Sequence, residues 1–160
     1  MAKPTVYIET TIVSYLTAWP SRDIVQLAHQ QMTLQWWRDR RPDFELFTSQ
    51  FVLDEAAAGD PTAAAQRLAH LAAIPLLAIS SDVVPLAGRL LTDGALPPNA
   101  RVDALHLAIA AANGMHYLMT WNCRHLANAT LWRKIEDACV DAGFVAPAIC
   151  TPNELLGSNP

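Results

Sequence analysis

Residues 1–16 read MAKPTVYIETTIVSYL. Thr5-Val6-Tyr7-Ile8 has the β-branched and aromatic character of a short buried strand. A carboxylate, Glu9, follows at once, and the hydroxyls of Thr10 and Thr11 come next. A charge at the end of an apolar strand breaks the core where it should continue. Glu is also a poorer helix N-cap than Asp or Ser, so capping the helix predicted from Thr10 to Ala18 explains it only in part. The fold and the function both turn on whether other carboxylates are placed to meet Glu9.

Downstream, strand and helix signals alternate. Trp19-Pro20 ends the first helix, and Ser21 is the expected N-cap of a second over Arg22 to Arg40, with Ile24, Leu27, Ala28, Met32 and Trp36 at helical spacing. Pro42 stops it, and Phe44 to Thr48 alternates as a strand. Ser49 caps a helix running to Gly59, and Asp60-Pro61 opens an alanine-rich one to Ala72. Ile74 to Ile79 reads as a third apolar strand. Ser80 or Ser81 caps a helix to Asp93, and Ala95 to Asn99 is a loop around Pro97-Pro98. Arg101 to Asn113 is a helix closed by Gly114, and Tyr117 to Thr120 is a fourth strand. A helix from Leu126 to Ala142, a strand at Ala148 to Cys150 and a capped turn at Thr151 to Leu155 complete the chain. This alternation predicts an α/β fold, a four- to five-stranded parallel sheet covered on both faces. Ligands of such sheets gather beyond the carboxyl ends of the strands, where the strand order reverses. Glu9 and Asn122 both fall at such ends.

Composition sets the frame. A chain of 160 residues suits one domain over 1–160, and 52% hydrophobic residues make it globular. A net charge of −4 argues against a broad basic nucleic-acid surface, but not against a small site that cuts nucleic acid. Lys3 and Lys134 are the only lysines, and Arg38, Arg40 and Arg41 cluster in one segment. The cysteines, Cys123, Cys139 and Cys150, make no CxxC pair, which fits a reducing compartment. Glu9 and the threonines after it interrupt any apolar leader, and no later stretch resembles a membrane span. The expectation is a cytoplasmic protein with no membrane partner.

Two further acids stand out. Glu55 lies in SQFVLDEAAAG, on the helix after the second strand, and Asp103 in NARVDALHLAIAAANG, in the first turn of its helix. Taken singly, each has a simpler role, as a solvated helix residue or an acid favoured by the helix dipole. Together, at one edge of a doubly wound sheet, they would repel unless a cation neutralised them. All-oxygen acidic sites select hard ions such as Mg2+ or Mn2+, which activate water and stabilise charge on phosphate.

In order and spacing the motifs VYIETTIVSYL, SQFVLDEAAAGD, DALHLAIAAANG and YLMTWNCRHLAN resemble the PIN-domain family, to which the VapC ribonuclease toxins of toxin–antitoxin pairs belong. The resemblance covers nearly the whole chain. It implies a three-layer α/β/α fold and a Mg2+- or Mn2+-dependent endoribonuclease. Glu9, Glu55 and Asp103 match the acidic metal positions and Asn122 the polar residue after the last core strand, so these four are the expected catalytic residues. Thr10 and Thr120 match supporting hydroxyls. It further implies an RNA substrate, a cognate antitoxin and a homodimer. There are two departures. Glu9 replaces the usual Asp and reaches about one bond length further, and His125 stands where many members have another acid. The alternative they motivate is a PIN-like module that binds RNA or protein without cutting. A nucleotide-binding Rossmann reading fails, since no glycine-rich loop follows the first strand.

Several neighbours have more than one reading. His125 is a ligand, a phosphate contact or a histidine bonded to backbone. His106 shares a helix face with Asp103 and either orients it or simply packs. Arg101 and Arg124 are RNA-phosphate contacts or solvated cations. Trp121 is the best base-stacking candidate, and Trp36 and Trp132 belong to the core or an interface. No base is arranged to activate Cys123.

Overall fold

The computed structural model describes residues 2–157. Its elements are β1 (Thr5–Ile8), α1 (Thr10–Thr17), α2 (Ile24–Asp39), a short 3-10 turn (Arg41–Asp43), β2 (Glu45–Phe47), α3 (Gln50–Ala56), α4 (Pro61–Leu71), α5 (Val83–Thr92), α6 (Arg101–Ala112), β3 (Tyr117–Met119), α7 (Ala129–Asp141), β4 (Ala148–Cys150) and a final 3-10 turn (Pro152–Leu155). The four strands form one parallel sheet in the order β2-β1-β3-β4. Seven helices flank it, an α/β architecture consistent with a PIN-like three-layer fold.

β1 decides the rest. Val6, Tyr7 and Ile8 are all 0% exposed, because a central parallel strand is covered on both faces. From β1 the chain moves outward to β2 on one side, then returns to place β3 and β4 on the other. The order therefore reverses at β1, and Glu9 stands at its carboxyl end. α1 packs against α2, α3 and α4, and α5 packs against α6 and α7. α6 is the most enclosed helix: Ala104 and every residue from His106 to Ala111 are buried, although Val102 at its start is 48% exposed. The arginine cluster finds its partners locally. Arg38 pairs with Asp39, Arg40 with Asp43, and Arg41 lies 4.5 Å over the Trp37 ring.

The structure corrects several expectations. Ile74 to Ile79 forms no strand. Only an isolated bridge joins Leu76 to Thr48, with Thr48 N–H donating to the Pro75 carbonyl and Leu77 N–H to the Thr48 carbonyl. Pro75 lacks a ladder donor, and Leu76 and Ile79 are 49% and 44% exposed. An apolar run without alternation carried no information about its own pairing. Asp23, not Ser21, caps α2, because its carboxylate accepts the Gln26 N–H at 2.9 Å. Neither Ser80 nor Ser81 caps α5, which starts after Asp82. Asn128 caps α7 three residues later than expected, since Leu126 and Ala127 fold back to donate to the Asn122 carbonyl. The strands at 44–48 and 117–120 are each shorter, at Glu45–Phe47 and Tyr117–Met119.

Leu118, on β3, is 0% exposed, whereas Leu76 is 49% exposed. Leu118→Ala should cost about 2–5 kcal/mol of stability, and Leu76→Ala about 0.5 kcal/mol or less. Urea unfolding measures both. Equal losses would mean that 74–79 is a true sheet strand.

Candidate functional site

Three clasps of hydrogen bonds form beyond the carboxyl ends of β1, β2 and β3, one around each acid.

The first holds Glu9. Its backbone N–H still reaches the Met119 carbonyl at 3.3 Å, so β1 stays paired to β3 through this residue. Its extended backbone also makes it the N-cap of α1. The side chain is 4% exposed. Its Oε2 accepts the Thr11 N–H at 3.2 Å, the Thr11 hydroxyl, and the Thr120 hydroxyl at 2.7 Å. Among the described residues Oε1 takes no hydrogen bond. Burial pushes the Glu9 carboxyl above its ordinary value, against the pull of His106 and the three donors.

The second clasp holds Glu55. His106, 1% exposed on α6, turns Nε2 toward Glu55 Oε1, which also accepts the Thr10 hydroxyl at 2.8 Å. His106 Nδ1 lies 2.7 Å from the Tyr7 hydroxyl, which lies 2.7 Å from Ser49 Oγ. Ser49 Oγ accepts the Val52 N–H as the cap of α3. Nε2–H donates to the carboxylate, and the Tyr7 hydroxyl links Nδ1 to Ser49 Oγ. Burial above all keeps the Tyr7 phenol raised well beyond its usual range. Partial burial of Glu55 works to raise its carboxyl, but the hydrogen bond and charge of His106, with Thr10, outweigh it and hold it low.

The third clasp holds Asp103. Oδ1 accepts from the Asn122 amide at 2.9 Å and Oδ2 lies 2.8 Å from His125 Nδ1. Asn122 Oδ1 in turn accepts the His125 N–H at 3.1 Å. Both Asp103 and His125 side chains are 17% exposed. His125 therefore binds the acid, not backbone through its ring.

Short links tie the clasps together. Thr120 Oγ1 donates to Glu9 and accepts the Asn122 N–H. Thr10 and Thr11, adjacent on α1, serve Glu55 and Glu9. Thr11 Oγ1 also accepts the Trp121 N–H at 2.8 Å. Trp121 is not a free stacking platform. Its ring stacks on His29 at 4.0 Å, meets Tyr15 edge-on, and donates its indole N–H to Thr33. Cys123 is exposed, and partial burial of the thiol plus Glu154 push it up, the opposite of activation. Arg101 and Arg124 are exposed and make no ion pair among the described residues.

Every acid and polar residue expected at the site lies in one of these clasps, but they do not form a single ligand shell. Among the described residues, no three His, Cys, Asp or Glu side chains come together as a cation cage. His106 and His125 occupy Glu55 and Asp103. Sequence reasoning missed Tyr7 and Ser49, read only as strand and cap, and left His106 either to orient Asp103 or to pack, where it serves Glu55. Among the described residues, no helix is long and apolar enough to cross a membrane. No family model and no curated protein matches the chain.

The two glutamates should titrate with opposite signs. The folded Glu9 carboxyl is raised, so the native state holds the extra proton and stability falls as pH rises through that window. Glu55 is lowered, so its contribution is present above its unfolded value near 4.5 and is lost as pH falls through the folded one. In metal-free thermal unfolding, Glu9→Gln should gain about 2–4 °C over the wild type at pH 7, and less in acid. Glu55→Gln should lose stability at pH 7 and match the wild type in acid. A destabilised Glu9→Gln at pH 7 would mean that the hydrogen bonds outweigh the burial of charge.

Proposed function

We propose that this chain hydrolyses RNA phosphodiester bonds at the edge built by Glu9, Glu55 and Asp103, with Mg2+ or Mn2+, and that it is the toxin of a toxin–antitoxin pair. One observation carries the reading. Glu9 is a buried carboxylate at the point where the strand order reverses, with every donor on one oxygen and the other oxygen bare. A buried carboxylate with its pKa raised gains most from a nearby cation.

The donor chemistry suits a hard ion, because all three acids offer oxygen. Glu9 would hold the ion through Oε1, with Asp103 and Glu55. Bound there, such an ion neutralises phosphate charge and lowers the pKa of water. Thr11 and Thr120 fix the Glu9 rotamer. Asn122 and His125 fix Asp103, and His106, backed by Tyr7 and Ser49, fixes Glu55. In the absence of an ion the two histidines keep Glu55 and Asp103 compensated, which lets three acids share one edge. Arg101, two residues before Asp103, and Arg124, next to His125, are exposed cations with no ion pair among the described residues, placed to take a phosphate. The acidic net charge suits an antitoxin that presents a basic side chain, and a homodimer is the expected assembly.

The histidine clasps favour a second reading, a module that binds RNA without cutting it. RNA cleavage with Mg2+ or Mn2+ separates the two. The wild type should cut, Asp103→Ala should lose more than about 100-fold, and Asn122→Ala about 10–100-fold, the range of partners that orient metal ligands. Equal cleavage by the wild type and Asp103→Ala would place the activity elsewhere. No cleavage by wild type free of antitoxin, with no heat of Mn2+ binding, would leave the binding module.

A further inference from the structure

One cavity touches this edge. It has a volume of about 520 Å3 and lies between the loop after α5, the turn after β3 and the start of α7. Its apolar wall includes Leu96, Pro97 and Leu131, and its polar rim carries Asn99, Arg124 and His125. Two further cavities differ in kind. One, near Trp132, carries Glu154 as its charged group, and the other, at Lys3 and Glu45, opens at the amino ends of the strands.

The walls are held in place. Leu96 is 1% exposed and its N–H donates to the Leu90 carbonyl. Gly94 closes α5 at φ 72°, a left-handed conformation that suits glycine. Ala100 N–H donates back to the Pro97 carbonyl, so the two prolines sit in a closed turn of restricted backbone. The rim is open by contrast. Among the described residues the Asn99 amide has no hydrogen bond and Arg124 no ion pair. His125 spends Nδ1 on Asp103, 2.8 Å away, and leaves Nε2 free. Asn128, also on the wall, is fully used: it caps α7 and donates to the Arg124 carbonyl.

We propose that this cavity is a subsite for one unpaired ribonucleotide of the substrate, beside the phosphate presented to Asp103. The inference rests on the reading of the acidic edge as an RNA-cleaving site. Small-ligand sites of about 300–1,000 Å3 are mostly apolar with a few convergent polar groups, and this cavity has that make-up. A base has two apolar faces and an edge of donors and acceptors. Leu131 and Pro97 cover faces, with Leu96 behind them, and the Asn99 amide offers both a donor and an acceptor to the edge. Arg124 supplies a forked cation for the nucleotide's phosphate. One imidazole, His125, separates the cavity from Asp103. In an acidic protein this places a positive charge where the polyanion must pass.

The test is binding of the four 5′-ribonucleoside monophosphates to the whole chain, followed by the methyl NMR signals of Leu96 and Leu131, with RNA cleavage assayed on the same preparations. At least one nucleotide should shift both methyls saturably. Arg124→Gln should weaken binding of all about tenfold, the factor of one charge-assisted hydrogen bond. Asn99→Leu, on an exposed loop, should flatten the preference among the four bases and the sequence preference of cleavage. No shift from any nucleotide, or shifts unchanged in both variants, overturns the subsite. If cleavage depends on Asp103 yet keeps its sequence preference in Asn99→Leu, the subsite is wrong and the nuclease reading stands. Nucleotide binding that both variants alter, with no cleavage by the wild type, sustains the nucleotide site and overturns the nuclease reading.

Discussion

The architecture depends on a carboxylate placed where the core should not allow one. Glu9 closes the central strand, caps the helix that follows and is nearly withdrawn from water. Burying a charge costs several kcal/mol unless hydrogen bonds or an opposite charge offset it. Here the offset comes from both near and far in the sequence. Thr11 comes from α1 and Thr120 from the turn after β3, 111 residues away. Any arrangement that satisfies Glu9 must therefore hold β1 and β3 side by side with α1 folded over their ends. The residue that strains the core also fixes the register of its surroundings.

The same requirement organises the other two acids. Glu55 and Asp103 are each matched by a histidine, and each histidine is anchored by a further group. His106 is backed by Tyr7 and Ser49, and His125 is held through its own N–H by Asn122. Three acids at one sheet edge would repel without these partners. The histidines explain how such an edge is stable in a protein whose surroundings supply no arginine or lysine to it. They also set what a cation must do, which is to take over compensation that imidazoles now provide. The length of Glu9 and the placement of His125 thus have physical content. Glu9 reaches two hydroxyls at once, and His125 gives Asp103 a partner.

Beside this edge the chain keeps cations scarce. The arginines at 38, 40 and 41 are tied to neighbouring acids or to Trp37, far along the chain from the acids. Arg124 lies next to His125 with no acid of its own. Trp121, by contrast, is used up: its stack on His29 and its bond to Thr33 pin α2 to the turn that carries Thr120 and Asn122. An aromatic next to a polar site looks the same in sequence whether it faces solvent or braces the site.

The sequence by itself determined the parallel α/β layout, most element positions and the identity of the acids. These follow from local rules: apolar runs make strands, helical spacing makes faces, and a carboxylate that ends a strand is anomalous wherever it occurs. The sequence could not place Ile74 to Ile79, because a short apolar run does not state its partner, and Pro75 with exposed Leu76 keeps it outside the sheet. Nor could it choose among Ser21, Asp23 and their neighbours as caps, since each is a competent acceptor and the choice depends on a turn of backbone. Tertiary structure alone decided which histidine serves which acid. His106 and Asp103 lie three residues apart on one helix, yet His106 reaches Glu55, because the Tyr7 hydroxyl on the central strand holds the imidazole and the Thr10 hydroxyl on α1 holds the carboxylate. Partnership across a site is set by the packing of β1, α3 and α6 against one another, and no local pattern in the chain encodes it.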